Sequence, residues 1–168
     1  MTPAILLLAF VTAERLAELW WAQRNTRGLL AKGAIEHAPG HYPLIVLVHA
    51  LWLAGLWVLG WSQPVAVGWL LVFIALQAGR LWVLATLGPR WTTRIIVVPG
   101  ETLVSRGPYR FVSHPNYLVV AGEIAVLPLC LGLPWYALVF SLANAAVLAI
   151  RLRAETSALA SSGRDRRG

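Results

Sequence analysis

The chain has 168 residues, of which 58% are hydrophobic and 12% charged, with a mean hydropathy of +0.67. Soluble domains carry about 25% charged residues, so an ordinary soluble domain is excluded and a polytopic membrane protein is expected. The net charge of +7 would suit nucleic acid if it formed one patch, but it is divided. Twelve of the fourteen basic residues fall in three groups: Arg24, Arg27 and Lys32; Arg90, Arg94, Arg106 and Arg110; and Arg151, Arg153, Arg164, Arg166 and Arg167. These groups occupy alternate connections between apolar segments, as a topology signal does, and no nucleic-acid partner is expected. The single cysteine, Cys130, excludes an intramolecular disulfide.

Crossing a hydrocarbon core takes about 20 helical residues. The apolar runs predict an all-α fold of five transmembrane helices, at 3–22, 42–62, 66–88, 116–131 and 135–152. Met1-Thr2-Pro3 lacks the basic start of a secretory signal, so the first segment is expected to be retained. The last two segments, separated by Gly132-Leu133-Pro134, predict a tight helical hairpin. Five spans put the amino terminus outside and the carboxyl terminus in the cytoplasm, with all three basic groups on the cytoplasmic side. A four-span arrangement, with the hairpin half inserted, is the alternative. Trp20, Trp21, Trp61, Trp69, Trp91 and Trp135 lie near segment ends, as interfacial rings do, whereas Trp52, Trp57 and Trp82 are expected to pack inside. Between 89 and 115 runs one long connection, with Ile95-Ile96-Val97-Val98 as a short extended piece and Pro99-Gly100 as a turn. One transmembrane domain is expected over 1–160, with a disordered basic tail at 161–168.

Charged groups inside a span are costly and face a cavity or a partner. Here they are Glu14, Arg15, Glu18, Arg80 and Glu123, with His49, Gln77 and Asn144 as neutral companions. Arg15 and Glu18 can pair locally. Glu123 has two readings, a partner for Arg80 or a buried general base with a raised pKa. His49 alone reads as a hydrogen-bonded core residue. No metal-ligand spacing is present, so no metal site is expected.

The densest polar stretch is Gly107-Pro-Tyr-Arg-Phe-Val-Ser-His-Pro-Asn-Tyr117. Pro115 suits the first turn of a helix. The free N–H groups there, with the helix dipole, predict an anion site, ringed by His114, Asn116 and Tyr117.

The run Leu103-Val-Ser-Arg-Gly-Pro-Tyr-Arg110 followed by His114-Pro-Asn-Tyr117 resembles the cofactor motif of the isoprenylcysteine carboxyl methyltransferases and their bacterial relatives. Arg151-Leu-Arg-Ala-Glu155 resembles the family's carboxyl-terminal Arg…Glu signature. The resemblance covers about residues 88–160. It implies an integral membrane methyltransferase of the bacterial inner membrane, using S-adenosylmethionine at a cytoplasmic active site. The cofactor part would span about 89–160. Carried over by position, Leu103, Val104, Tyr109, His114, Pro115, Asn116, Tyr117 and Glu155 would bind the cofactor, with Arg94 as a further candidate. Arg151 and Glu123 would face the substrate, and Glu123 or His114 would serve as base for a phenolic acceptor. The substrate would be a lipophilic small molecule or a lipidated one, drawn from among the membrane lipids, and the oligomeric state is open. Two departures stand out. Ser113 occupies a position where the family commonly has arginine, with Arg110 available to compensate, and Glu155-Thr156 stands where an acid pair is often found. The form of the motif is closest to the small bacterial branch that includes alkylpyrone and alkylresorcinol O-methyltransferases. The alternatives are a phospholipid amine N-methyltransferase, a prenylcysteine carboxyl methyltransferase, a nicotinamide-dependent sterol reductase of similar architecture, and a non-enzymatic scaffold or transporter.

Overall fold

A computed structural model describes residues 2–102 and 104–164, with His41 and 157–164 described by backbone alone. Leu103 and 165–168 lie outside the described residues. Five α-helices follow one another: α1 (Pro3–Leu30), α2 (Tyr42–Gly60), α3 (Val67–Leu87), α4 (Pro115–Cys130) and α5 (Pro134–Arg164). The all-α expectation holds. Two short strands, β1 (Ile35–Glu36) and β2 (Ile96–Val97), pair antiparallel with Ile35 opposite Val97. The extended piece expected near 95–98 is therefore real, and its partner lies in the first connection.

By length and composition α2, α3 and the first part of α5 can cross a membrane, whereas α4 is a shorter apolar helix. The first helix fails this criterion because Glu14, Arg15 and Glu18 interrupt it and it continues to Leu30, eight residues beyond the expected end. Helix α5 likewise runs to Arg164, through the first four residues of the expected tail.

The helix ends follow local chemistry. Pro3 and Pro115 occupy first turns, where a missing N–H costs nothing. Thr2 Oγ1 accepts from the Ile5 N–H and donates to the Trp61 carbonyl, tying the start of α1 to the end of α2. The α4–α5 hairpin turns at Gly132 (φ 67°), a left-handed conformation that favours glycine.

Around α4, the helices α3 and α5 pack on either side, and the core joins Leu8, Val11, Trp52, Leu56, Phe73, Ile124 and Leu127. Gly122 lets α4 approach α3, because a Cβ there would come within 2.8 Å of Leu76. On α5, the Tyr136 hydroxyl donates to the α2 carbonyls of Leu51 and Trp52. Leu47, Leu51, Val58, Leu71, Leu81, Leu138, Val139 and Leu142 remain exposed. Such continuous apolar surface is foreign to soluble monomers and suits lipid.

Trp20, Trp61, Trp69 and Trp135 are exposed, as interfacial residues should be. Trp91 is not: it is buried against Trp21, with ring centroids 5.7 Å apart. Asn25 fixes this corner by donating to the carbonyls of Gly88 and Trp91. Trp52 is buried as expected, but Trp82 is half exposed.

Candidate active site

Two polar regions are built into the helical bundle. The deeper one joins α1, α3 and α4. Arg80 donates through Nε and Nη2 to Glu18 and through Nη1 to Glu123 at 2.8 Å. Arg15 reaches Glu123 at 2.7 Å and Glu18 at 3.1 Å, and Gln77 donates to the other Glu123 oxygen at 3.1 Å. Arg80 is 4% and Glu123 1% exposed. This arrangement bears on both readings of Glu123. Both its oxygens accept from Arg15, Arg80 and Gln77, and it is not among the residues that line the cavity described below. These contacts are those of the ion-pair reading, with Arg15 added to Arg80. Arg15 and Glu18 pair as expected, but within a network that also fastens a charged helix to the bundle.

Nearer the 89–115 connection, the two motif blocks meet. Tyr117, in the first turn of α4, donates to Glu155 of α5 at 2.5 Å and accepts from Arg151 Nε at 2.8 Å. Arg151 also donates to the Thr93 carbonyl at 2.9 Å and lies 5.3 Å from the Tyr117 ring centroid. His114 stacks on Tyr117 with centroids 5.0 Å apart, and its Nδ1 is 4.0 Å from the Glu155 carboxylate. Its side chain is 41% exposed, leaving an open imidazole edge. Tyr109 feels the same carboxylate. Burial, with Glu155 adding, pushes its phenol up to about 12, so it remains a hydrogen-bond donor at any working pH.

Helix α4 begins at Pro115 as the sequence predicts. The anion site at its start is smaller than expected. The N–H groups of Tyr117 and Leu118 both turn back onto the His114 carbonyl, at 3.1 and 3.4 Å. That leaves the Asn116 N–H as the outward donor. Ser113 is exposed, and Arg110 lies over Phe111, 5.3 Å from its ring centroid. Arg151 is the cation that the cluster holds.

Beside these groups opens a cavity of about 320 Å³, walled by all five helices and residues Trp91 to Thr93, with Arg15, Glu18 and Arg80 of the deeper cluster in its lining. Asn116, Tyr117 and Arg151 line its mouth, whereas Leu16, Ile45, Val46, Leu53, Val147 and Leu148 make its sides apolar. Three buried polar atoms of its lining residues, Asn116 Oδ1, Trp91 Nε1 and Arg15 Nε, have no hydrogen-bond partner. Leaving such atoms unpaired costs about 1–3 kcal/mol each, so the lining suits a ligand with both donors and acceptors.

The remaining predicted residues are dispersed. Arg94 bonds Glu36 at 2.8 and 3.0 Å and covers the Tyr42 ring, so it braces the cavity wall from behind. Val104 lines a different cavity, of about 240 Å³, with Arg90, Thr102 and Arg106. Asn25, Glu36, Tyr42 and Thr93 are positioning residues without a sequence motif, since nothing local marks a partner more than fifty positions away. Among the described residues no cluster of three metal-ligating side chains occurs.

Residues 69–161 match the family described as "Isoprenylcysteine carboxyl methyltransferase (ICMT) family". The "Uncharacterized protein YpbQ" of Bacillus subtilis (strain 168) is 40% identical over 159 residues, 92% of this chain and 95% of that protein. An "Uncharacterized protein" of Haemophilus influenzae is 27% identical over 158 residues, 90% of this chain and 91% of its own length. No solved structure matches the chain at a significant level.

Proposed function

Because this chain belongs to the isoprenylcysteine carboxyl methyltransferase family, and so to a family of membrane methyltransferases, we propose that it transfers a methyl group from S-adenosylmethionine to an oxygen of a lipophilic substrate. One observation carries this reading: Tyr117 and Glu155, from two motif blocks 38 residues apart, are hydrogen-bonded beside an amphipathic cavity. We further propose that all five helices span the bacterial inner membrane, with this cluster on the cytoplasmic side. The basic groups before and after the apolar segments support that orientation.

The cofactor supplies an electrophilic methyl group on a sulfonium when bound. Glu155 would accept hydrogen bonds from its hydroxyl or ammonium groups, the Asn116 N–H at the start of α4 would hold its carboxylate, and His114, Tyr109 and Tyr117 would supply aromatic surface for its base. Arg151, already fixed by Tyr117 and Thr93, places positive charge at the mouth and favours the ionised form of an acceptor oxygen. Catalysis then consists mostly of holding two reactants in line. A carboxylate acceptor needs no base, and for a phenol or enol His114 is the remaining candidate. The alkylpyrone and alkylresorcinol classes fit the polar mouth and the run of aliphatic side chains beside it. An amine acceptor of the phospholipid type is the second reading, disfavoured by the guanidinium of Arg151 at the mouth.

Calorimetry of the purified protein with S-adenosylmethionine tests the cofactor, and no detectable binding would overturn the proposal. Radiolabelled methyl transfer into lipid extracts tests the acceptor. Base-labile label marks an ester, whereas label surviving base marks an ether or a methylamine, and mass spectrometry separates those two.

A further inference from the structure

The mouth of the cavity holds the groups that methyl transfer requires, yet the inner end is polar as well. Thr93 Oγ1 bonds the Tyr42 hydroxyl at 3.2 Å, and Arg151 bonds the Thr93 carbonyl, so Tyr42 and Arg151 share the mouth layer. His49 on α2 and Asn144 on α5 each lie two helical turns away from those residues, about 10 Å along the axis, and both line the cavity.

His49 Nδ1 is 2.8 Å from the Ile45 carbonyl oxygen. A carbonyl only accepts, so Nδ1 carries a hydrogen and, in the neutral ring, Nε2 keeps its lone pair. Among the described residues Nε2 has no hydrogen-bond partner. Asn144 is only 5% exposed, and its side-chain amide likewise meets no partner among the described residues. The ions at this depth pair with one another, Arg15 and Arg80 with Glu18 and Glu123 and Glu14 3.8 Å from Arg15, although Arg15 Nε and Glu14 Oε2 make no hydrogen bond. Thr12, Arg15, Glu18 and Arg80 share this lining, and Arg15 Nε also lacks a partner, but the neutral groups left open are one acceptor, on His49, and one amide, on Asn144.

We propose that the cavity takes a lipid bearing a hydroxyl or amide N–H within its apolar part, about 10 Å inward of the reacting atom. This group donates to His49 Nε2 and is completed by Asn144. His49 and Asn144 are then specificity residues, and a plain alkyl chain leaves both unpaired. The position of the reacting atom rests on the methyltransferase reading.

The test uses palmitic acid and its mid-chain hydroxy isomers as probes. Binding to the full-length protein in detergent is followed by tryptophan fluorescence, since Trp52 and Trp91 line the cavity, and cofactor affinity is measured separately by calorimetry. The best-placed hydroxy isomer should bind about tenfold more tightly than palmitic acid, the scale of one hydrogen bond. His49→Leu and Asn144→Leu should each reduce that preference, and His49→Gln, whose amide oxygen accepts, should retain it. Cofactor affinity should stay unchanged in all three. Equal binding of the acids by the unaltered protein overturns the proposal, as does a preference that survives both leucine substitutions together. A hydroxyl preference without any S-adenosylmethionine binding keeps the inner site and overturns the methyltransferase reading alone.

Discussion

The two polar regions use the same residue types to opposite ends. In the deep cluster, Arg15 and Arg80 are matched to Glu18 and Glu123, every oxygen of Glu18 and Glu123 is engaged, and the cavity gains nothing reactive from Glu123. At the mouth, Arg151, Tyr117 and Glu155 also form a chain, but His114 stays partly open and Asn116 Oδ1 unpaired. Burial distinguishes them. A charge shut inside a bundle must be fully compensated, because an unpaired one costs several kcal/mol. A partly exposed group such as the His114 ring can keep spare bonding capacity, because water satisfies it until a ligand arrives. The buried carboxylates are therefore accounted for by their ion pairs, whereas the partly exposed Glu155 keeps room for a ligand.

The sharpest test of that contrast is Arg80→Met, which leaves two buried carboxylates sharing Arg15 as their cation and Glu18 Oε1 without a donor. It should cost about 3–5 kcal/mol, read as a lower unfolding midpoint in detergent. Glu155→Ala should do the reverse, weakening S-adenosylmethionine binding by about ten- to a hundredfold, the worth of charge-assisted hydrogen bonds, with the midpoint nearly unmoved. If Glu155→Ala unfolds the protein as Arg80→Met does, the two regions are not different in kind. Tyr117→Phe removes the hydroxyl joining Arg151 to Glu155 and should cost about 1 kcal/mol of cofactor affinity. Glu36→Gln breaks only the partly exposed pair with Arg94 and should shift the midpoint by less than about 1 kcal/mol equivalent.

Tyr109 sharpens the same contrast through pH. Its phenol is raised from 10 to about 12, so the folded state binds its proton more tightly than the unfolded chain does. The stability it contributes is complete below pH 10 and is lost as pH climbs toward about 12. The activity profile below pH 9 should therefore be identical in shape for the protein and Tyr109→Phe. A step that disappears in the variant would show the phenol titrating in the working range.

Much could be read locally. Apolar run lengths marked all five helices, Pro3 and Pro115 marked two starts, and Gly132 marked the hairpin turn. These features depend on residues a few positions apart, and helix propensity and capping act over that range. The pairing of His114-Pro-Asn-Tyr117 with Arg151…Glu155 was also legible, through the resemblance of both blocks to the family's motifs. Helix lengths were less accessible: α1 continues to Leu30 because Asn25 and the β1–β2 pair hold its end, well past the last apolar residue of the run.

The role of Glu123 shows where local reading ends. From sequence it was equally an ion-pair partner and a base, because burial raises the cost of its charge in either case. Only the packing of α1 and α3 against α4 brought Arg15 and Arg80 to its oxygens. The same holds for Arg94, Val104 and Trp91, whose partners are set by how the long connection folds back over the helices. Composition and periodicity determine which segments leave water, since that depends on each segment's own solvation. Which polar groups are then spent on one another, and which remain for a ligand, depends on distances between helices that no single segment contains.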